Sequence, residues 1–259
     1  GYDYRPERCR PLQPVGFCEE EGHPVLGTSS CGNRGCPEHY GDWVKDGAVR
    51  DTARLAAFRQ AADGAGKRLL HVVVSPPQDR RWSTRELWET RGDAYDAAEQ
   101  AGVRGGAVFA HPYRDNDAGK EFFRTAVESG EWDAERGKWS LFRDAADDWD
   151  GMLTWIRPSP HYHILGAARD LDPDAAPDGW VIERVRSFDR FHLRDLEAYR
   201  DMLRTAWYLR THVGVQKGRQ AVTWFGDVHP ALFDPAEELT AAEWERIQTN
   251  AGKVPETEP

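Results

Sequence analysis

Beyond Cys36 the chain has no cysteine. All four (Cys9, Cys18, Cys31 and Cys36) lie in the first 36 of 259 residues, so no disulfide framework runs through the body of the protein. Lysine is scarce too, at 6 of the 34 basic residues, the other 28 being Arg. No apolar run approaches membrane-spanning length; residues 69–74 (LLHVVV) are typical of the longest, and a transmembrane helix is excluded. The first ten residues, GYDYRPERCR, contain no apolar stretch of the secretory kind, so a reducing cytoplasmic compartment and no membrane partner are expected. No G-x-G-x-x-G follows a predicted strand and no G-x4-G-K-[ST] occurs. RGGAV and GRQAV are not phosphate loops, which leaves nucleotide-dependent chemistry without a motif. Internal repeats are absent as well.

What is present is enough for a core: 39% hydrophobic and 11% aromatic residues, with 11 Trp, exclude wholesale disorder. The formal net charge is −10, from 24 Asp and 20 Glu against the 34 bases. Acidic, Asp-rich, Lys-poor chains resemble proteins adapted to high internal salt, where carboxylates keep the surface hydrated; a GC-rich genome gives the same bias. The saline reading changes one inference. Net acidity ordinarily argues against nucleic acid, but at molar salt the Debye length is only about 3 Å, and long-range repulsion is screened.

The clustered cysteines point to one shared task. Thiolates from two loops can supply the tetrahedron that structural zinc requires, and CGNRGCP carries turn-forming residues between two of them. The spacing C-x8-C…C-x4-C is looser than that of common zinc ribbons, and paired or free thiols are the alternative. His23 and His39 are spare ligands nearby. Residues 1–48 are therefore expected to form a zinc-binding module, and 49–259 a second domain.

Periodicity predicts a helix over 50–62 and a buried strand over 68–75, stopped by Pro76-Pro77. A capping box of Ser83 with Glu86 predicts a helix running to about Gln100. Further strands are expected at 105–111, closed by Pro112, then at 152–157, 161–167, 181–188 and 221–228. A long helix is expected over 193–212. Residues 115–150 read as an acidic, aromatic insertion, 170–179 as a loop, and the tail from Gly252 as frayed. Strands in short hairpins mixed with helices predict an α+β fold, an antiparallel sheet covered by helices.

The chemistry centres on Pro160-His161-Tyr162-His163-Ile164-Leu165. On a strand, residues i and i+2 share a face, so His161 and His163 point together while Tyr162 turns away. Two imidazoles on one face make a natural metal chelate. If 105–111 and 161–167 pair antiparallel, His111 falls beside them and completes a three-imidazole site with an open position. On the helix over 193–212, Tyr208 and His212 are four residues apart and share a face, with Arg204 one turn earlier. Tyr199, nine residues before Tyr208, falls on the opposite face. Arg80, Arg81, Arg104 and Arg114 flank the candidate strands. His71 either lines the cleft or sits in the core.

These residues carry a resemblance. HVVVSPP (71–77), HYH (161–163) and YLRTH (208–212) resemble, in order, the three motifs of the HUH endonuclease family. More closely, they resemble those of rolling-circle replication initiators (Rep proteins) of plasmids and viruses of salt-loving archaea. FAHPYR (109–114) and TWFGDV (223–228) also look like segments of that group. The likeness covers about residues 66 to 228, and the cysteine-rich start resembles the zinc modules often found ahead of it. Many members carry Tyr-x-x-Lys; here Thr211 stands at the Lys position, with His212 next.

The resemblance implies a ferredoxin/RRM-like core that nicks and rejoins single-stranded or hairpin origin DNA to start replication, with a host helicase and polymerase acting later. It implies Tyr208 as nucleophile and a divalent metal on His161, His163 and His111. An all-imidazole site favours Mn²⁺ over Mg²⁺, and Zn²⁺ or Ni²⁺ could also bind. His212 would orient the phenol or take its proton, and Arg204, Arg114 and Arg81 would contact DNA. Three alternatives remain open: another HUH nuclease (a transposase or relaxase), a non-catalytic zinc-module DNA-binding protein, and a phosphoesterase using Asp147, Asp148 and Asp150.

Overall fold

A computed structural model of the chain describes residues 12–18, 23–28, 39–61, 64, 66–80, 86–188, 196–213 and 220–251. Among these, β1 (Leu12–Cys18) and β2 (His23–Thr28) pair as a separate antiparallel hairpin. The main sheet contains β3 (Arg68–Ser75), β4 (Val103–Asp115), β5 (Ile156–Ala168), β6 (Val181–Phe188) and β7 (Val222–Gly226). Its order is β6-β3-β5-β4-β7, and every neighbouring pair is antiparallel. The expected α+β class is the observed one.

Helices cover both faces, and the alternation of the strands decides which residues they meet. On one face Leu69, Phe109, Leu165 and Ala167 pack against α1 (Tyr40–Gln60) and α7 (Leu196–Thr211), with α8 (Pro235–Glu238) and α9 (Ala241–Ala251) behind. On the other face Leu70, Val72, Val108, Tyr162 and Ile164 pack against α2 (Glu86–Glu89) and α3 (Arg91–Gln100). His71, His111, His161 and His163 are all odd-numbered, so they share the parity of the α1/α7 face.

Several boundaries differ from the sequence reading. α1 begins at Tyr40, so the division at residue 48 falls inside a helix. The helix expected to run to Gln100 is broken at Thr90, whose side-chain oxygen is drawn 2.5 Å from the buried Tyr162 hydroxyl. β4 does not stop at Pro112 but continues to Asp115. Its register shifts between His111 and Tyr113, which lets Pro112, lacking an N–H, pass within a bulge. The two strand pieces expected over 152–167 are one strand, β5.

The acidic insertion forms α4 (Asp117–Glu128), α5 (Lys138–Ala145) and α6 (Trp149–Met152) around its own small core of Ala126, Leu141, Phe142 and Ile156. Cys9, Cys31 and Cys36 lie outside the described residues. Cys18 ends β1 opposite His23, and only its backbone is described.

Candidate metal centre and its tyrosine

The central strands bring the histidines together. In the β4–β5 register His111 faces His161 and Phe109 faces His163. His111, His161 and His163 each offer a ring nitrogen within 4.8 Å of the others. The pairing expected from sequence therefore holds, and His111 stands where that pairing puts it.

Each imidazole commits one nitrogen to an orienting partner. His161 Nδ1 lies 2.7 Å from the Ser159 carbonyl, to which it donates, leaving Nε2 as a lone pair. His111 Nε2 donates to the Leu209 carbonyl at 2.9 Å, leaving Nδ1. His163 Nδ1 lies 2.7 Å from His71 Nε2. The Nε2 atoms of His161 and His163 are 3.1 Å apart, the distance of an N–H···N hydrogen bond. One bound cation gives a similar spacing, since two imidazoles on one ion at about 2.0–2.1 Å have nitrogens about 3 Å apart. Outer partners on every ring are what metal-binding histidines ordinarily carry. The donor set fits a divalent ion of the first transition row.

Electrostatics keep the donors available. Burial pushes the pKa of His111 well below the ordinary imidazole value, with the charges of His161 and His212 adding to it. Burial and then the neighbouring His111 and His161 do the same to His163. His71 is lowered to about 4, by burial first and Arg186 second. These rings are neutral at pH 7, the form that can ligate.

The end of α7 closes the site. Tyr199 and Tyr208 do face opposite ways: Tyr199 is 1% exposed in the core and Tyr208 is 42% exposed. The rings of Tyr208 and His212 lie 4.5 Å apart, and that of His212 lies 6.0 Å from His111. His212 Nδ1 donates to the Tyr208 carbonyl at 2.8 Å, which leaves Nε2 as an acceptor. Desolvation and then the Asp115 carboxylate raise the Tyr208 phenol to about 12, with nearby Trp139 opposing them. Burial lowers His212 to about 3.

Other predicted residues sort differently. Arg114 donates to Ser75 Oγ at 2.9 Å and its charge reaches His163, so it belongs to the rim of the site. Arg204 is exposed on α7, one turn before Tyr208. Arg104 pairs with Asp227 at 3.4 Å near the start of β4, seven residues from His111 and on the order of 23 Å away along the strand. Arg81 lies outside the described residues, as does the side chain of Arg80. Asp147, Asp148 and Asp150 are exposed around α6.

Sequence reasoning missed Trp139 and left His71 between cleft and core. His71 is neither a simple core residue nor a ligand of the cluster, but the hydrogen-bond partner of His163. Trp139, from the insertion, packs 5.0 Å from His212.

A buried ion pair holds this helix end. Arg210 makes two bonds to Asp51, at 2.7 and 2.9 Å, and lies 5.1 Å from the Trp43 ring. Tyr40 donates to the Thr211 carbonyl at 2.9 Å. Gly47 makes room for the guanidinium, since a Cβ there would fall 2.1 Å from Arg210.

Fold and site together define an α+β protein with a three-histidine cluster on adjacent central strands and a tyrosine-bearing helix end beside it. Compared with family models, curated proteins and solved structures, the chain matches none. No helix among the described residues is long and apolar enough to cross a membrane.

Proposed function

We propose that this chain is a metal-dependent HUH-type endonuclease, of the rolling-circle initiator kind, that nicks single-stranded DNA through Tyr208. One observation carries the reading. The imidazole cluster is tied through the Leu209 carbonyl to the helix end that presents Tyr208, so a cation-binding group and a potential nucleophile belong to one rigid unit.

His111, His161 and His163 would hold a divalent ion, with Mn²⁺ the best chemical match. When bound, the ion supplies Lewis-acid polarisation of the phosphate and neutralises developing charge. The Tyr208 oxygen forms a bond to phosphorus as the bond from phosphorus to the 3′-oxygen of the preceding nucleotide breaks. The phenol gives up its proton and the departing 3′-oxygen gains one. The products are a 5′-phosphotyrosine link and a free 3′-hydroxyl, and reversal rejoins the strand.

His212, neutral and hydrogen-bonded to the Tyr208 backbone, orients the phenol. Its available Nε2 can accept a hydrogen bond from the phenol or from water. Arg114 and Arg204, with Arg81, are the proposed phosphate contacts. A zinc module at Cys9, Cys18, Cys31 and Cys36 remains part of the proposal, carried by their clustering in sequence.

The test mixes the protein with single-stranded oligonucleotides and Mn²⁺ at high salt and resolves the products on a denaturing gel. A covalent protein–DNA band in wild type and none in Tyr208→Phe supports the reading. A band of equal strength in the variant removes Tyr208 from the chemistry.

A further inference from the structure

The insertion between β4 and β5 does more than fill space, because α5 lies against the Tyr208 end of the site. Trp139 packs its ring 5.0 Å from that of His212, whose other neighbour is the Tyr208 ring at 4.5 Å. Arg143 follows four residues later, on the same face of α5. With Trp139 against His212, that spacing puts Arg143 on the site side of the helix, where its charge acts on His212.

Arg143 is also available. Its side chain is 57% exposed, and its ion-pair contact is the adjacent Asp144 at 3.6 Å. Asp144 is engaged more closely by Arg136, at 3.2 Å. Lys138 is committed elsewhere, to Asp115 at 2.7 Å, which ties the start of α5 to the strand that carries His111. Behind α5, Phe142 is fully buried and stacks with Trp155 at 5.8 Å, so the helix rests on a packed base.

We propose that α5 is a single-strand-binding wall of the site, with Trp139 holding His212 against Tyr208 and Arg143 holding a phosphate of the bound strand. An aromatic face with a cation one turn away is a combination that single-stranded nucleic acid uses. The proposal rests on the nicking reading above.

The test uses the full chain and a labelled single-stranded oligonucleotide, with anisotropy over a salt series and single-turnover adduct formation at saturating DNA. Arg143→Gln should weaken binding and reduce the log–log salt slope by about 0.7, the loss of one phosphate contact. Arg124→Gln is the control, since Arg124 is held between Glu121 and Glu128 on α4; it should leave the slope unchanged. Trp139→Ala removes the ring that packs on His212. It should slow adduct formation about tenfold at saturation while the DNA affinity stays as in wild type.

A wild-type slope in Arg143→Gln overturns the phosphate role, and a wild-type rate in Trp139→Ala overturns the positioning role. If wild type binds the strand with the Arg143-dependent slope yet forms no adduct, the nicking reading fails and the binding wall stands. If wild type binds no strand, both fall.

Discussion

His111 Nε2 donates to the carbonyl oxygen of Leu209 at 2.9 Å, across 98 residues of chain. This bond joins the three-histidine cluster of the sheet to the residue after Tyr208, so the placing of His111 and of that helix end are not independent. His111→Ala should lower Mn²⁺ affinity by at least about 100-fold, because it removes a ligand as well as its outer partner. Titration followed by electron paramagnetic resonance reads this directly, and unchanged affinity would remove His111 from the site.

His71 should act on the metal through His163. Replacing it with Ala removes the partner of His163 Nδ1 and should weaken Mn²⁺ binding about 10- to 100-fold, with His71→Gln recovering part of the loss. Calorimetric titration of both variants distinguishes an orienting bond from mere packing, for which Gln would rescue nothing.

Tyr162 sits inside the H-Y-H motif but on the other face of the sheet. Its hydroxyl donates to the Leu87 carbonyl at 2.6 Å. Tyr162→Phe should cost about 1–3 kcal/mol of stability by stranding buried partners and leave Mn²⁺ affinity untouched. Chemical denaturation and metal titration of the same sample check both halves.

Much of this site is legible in the sequence because its logic is local. Alternation along a strand places His161 and His163 together, and one antiparallel pairing adds His111. The four-residue spacing of Tyr208 and His212 works equally well on a helix. What is not legible depends on packing between distant segments. The Asp51–Arg210 pair spans 159 residues, and neither partner is marked by its neighbours. Trp139 lies in a stretch whose charge reads as solvated surface, and only the fold of α4–α6 turns it toward His212. The break at Thr90 coincides with a hydrogen bond to Tyr162, 72 residues away.

The Asp51–Arg210 pair should be costly to break. Asp51→Ala leaves a buried guanidinium without its carboxylate and should destabilise the protein by about 3–5 kcal/mol. Gly47→Ala should also destabilise, since its new Cβ collides with that guanidinium. Denaturant melts of the two variants, singly and together, should be less than additive because both disturb one group.

Acid should unfold the protein partly through His212. Burial lowers its pKa to about 3 in the folded chain, against about 6.5 unfolded. The unfolded state then binds the extra proton first, so this contribution to stability is complete above pH 6.5 and is lost as pH falls from about 6.5 toward 3. His212→Gln should show a smaller drop in melting temperature over that range than wild type. Parallel melting curves across the range would contradict the assignment.

The most direct measurement is the chemical identity of the linked residue. Wild-type protein, Mn²⁺ and a cleavable single-stranded oligonucleotide would be reacted, digested with protease and nuclease, and analysed by mass spectrometry. The account predicts a nucleotide phosphate on the peptide containing Tyr208, absent when the metal is chelated and absent from His161→Ala. A nucleotide adduct on any other residue, or cleavage that leaves no adduct and persists in Tyr208→Phe, would contradict it.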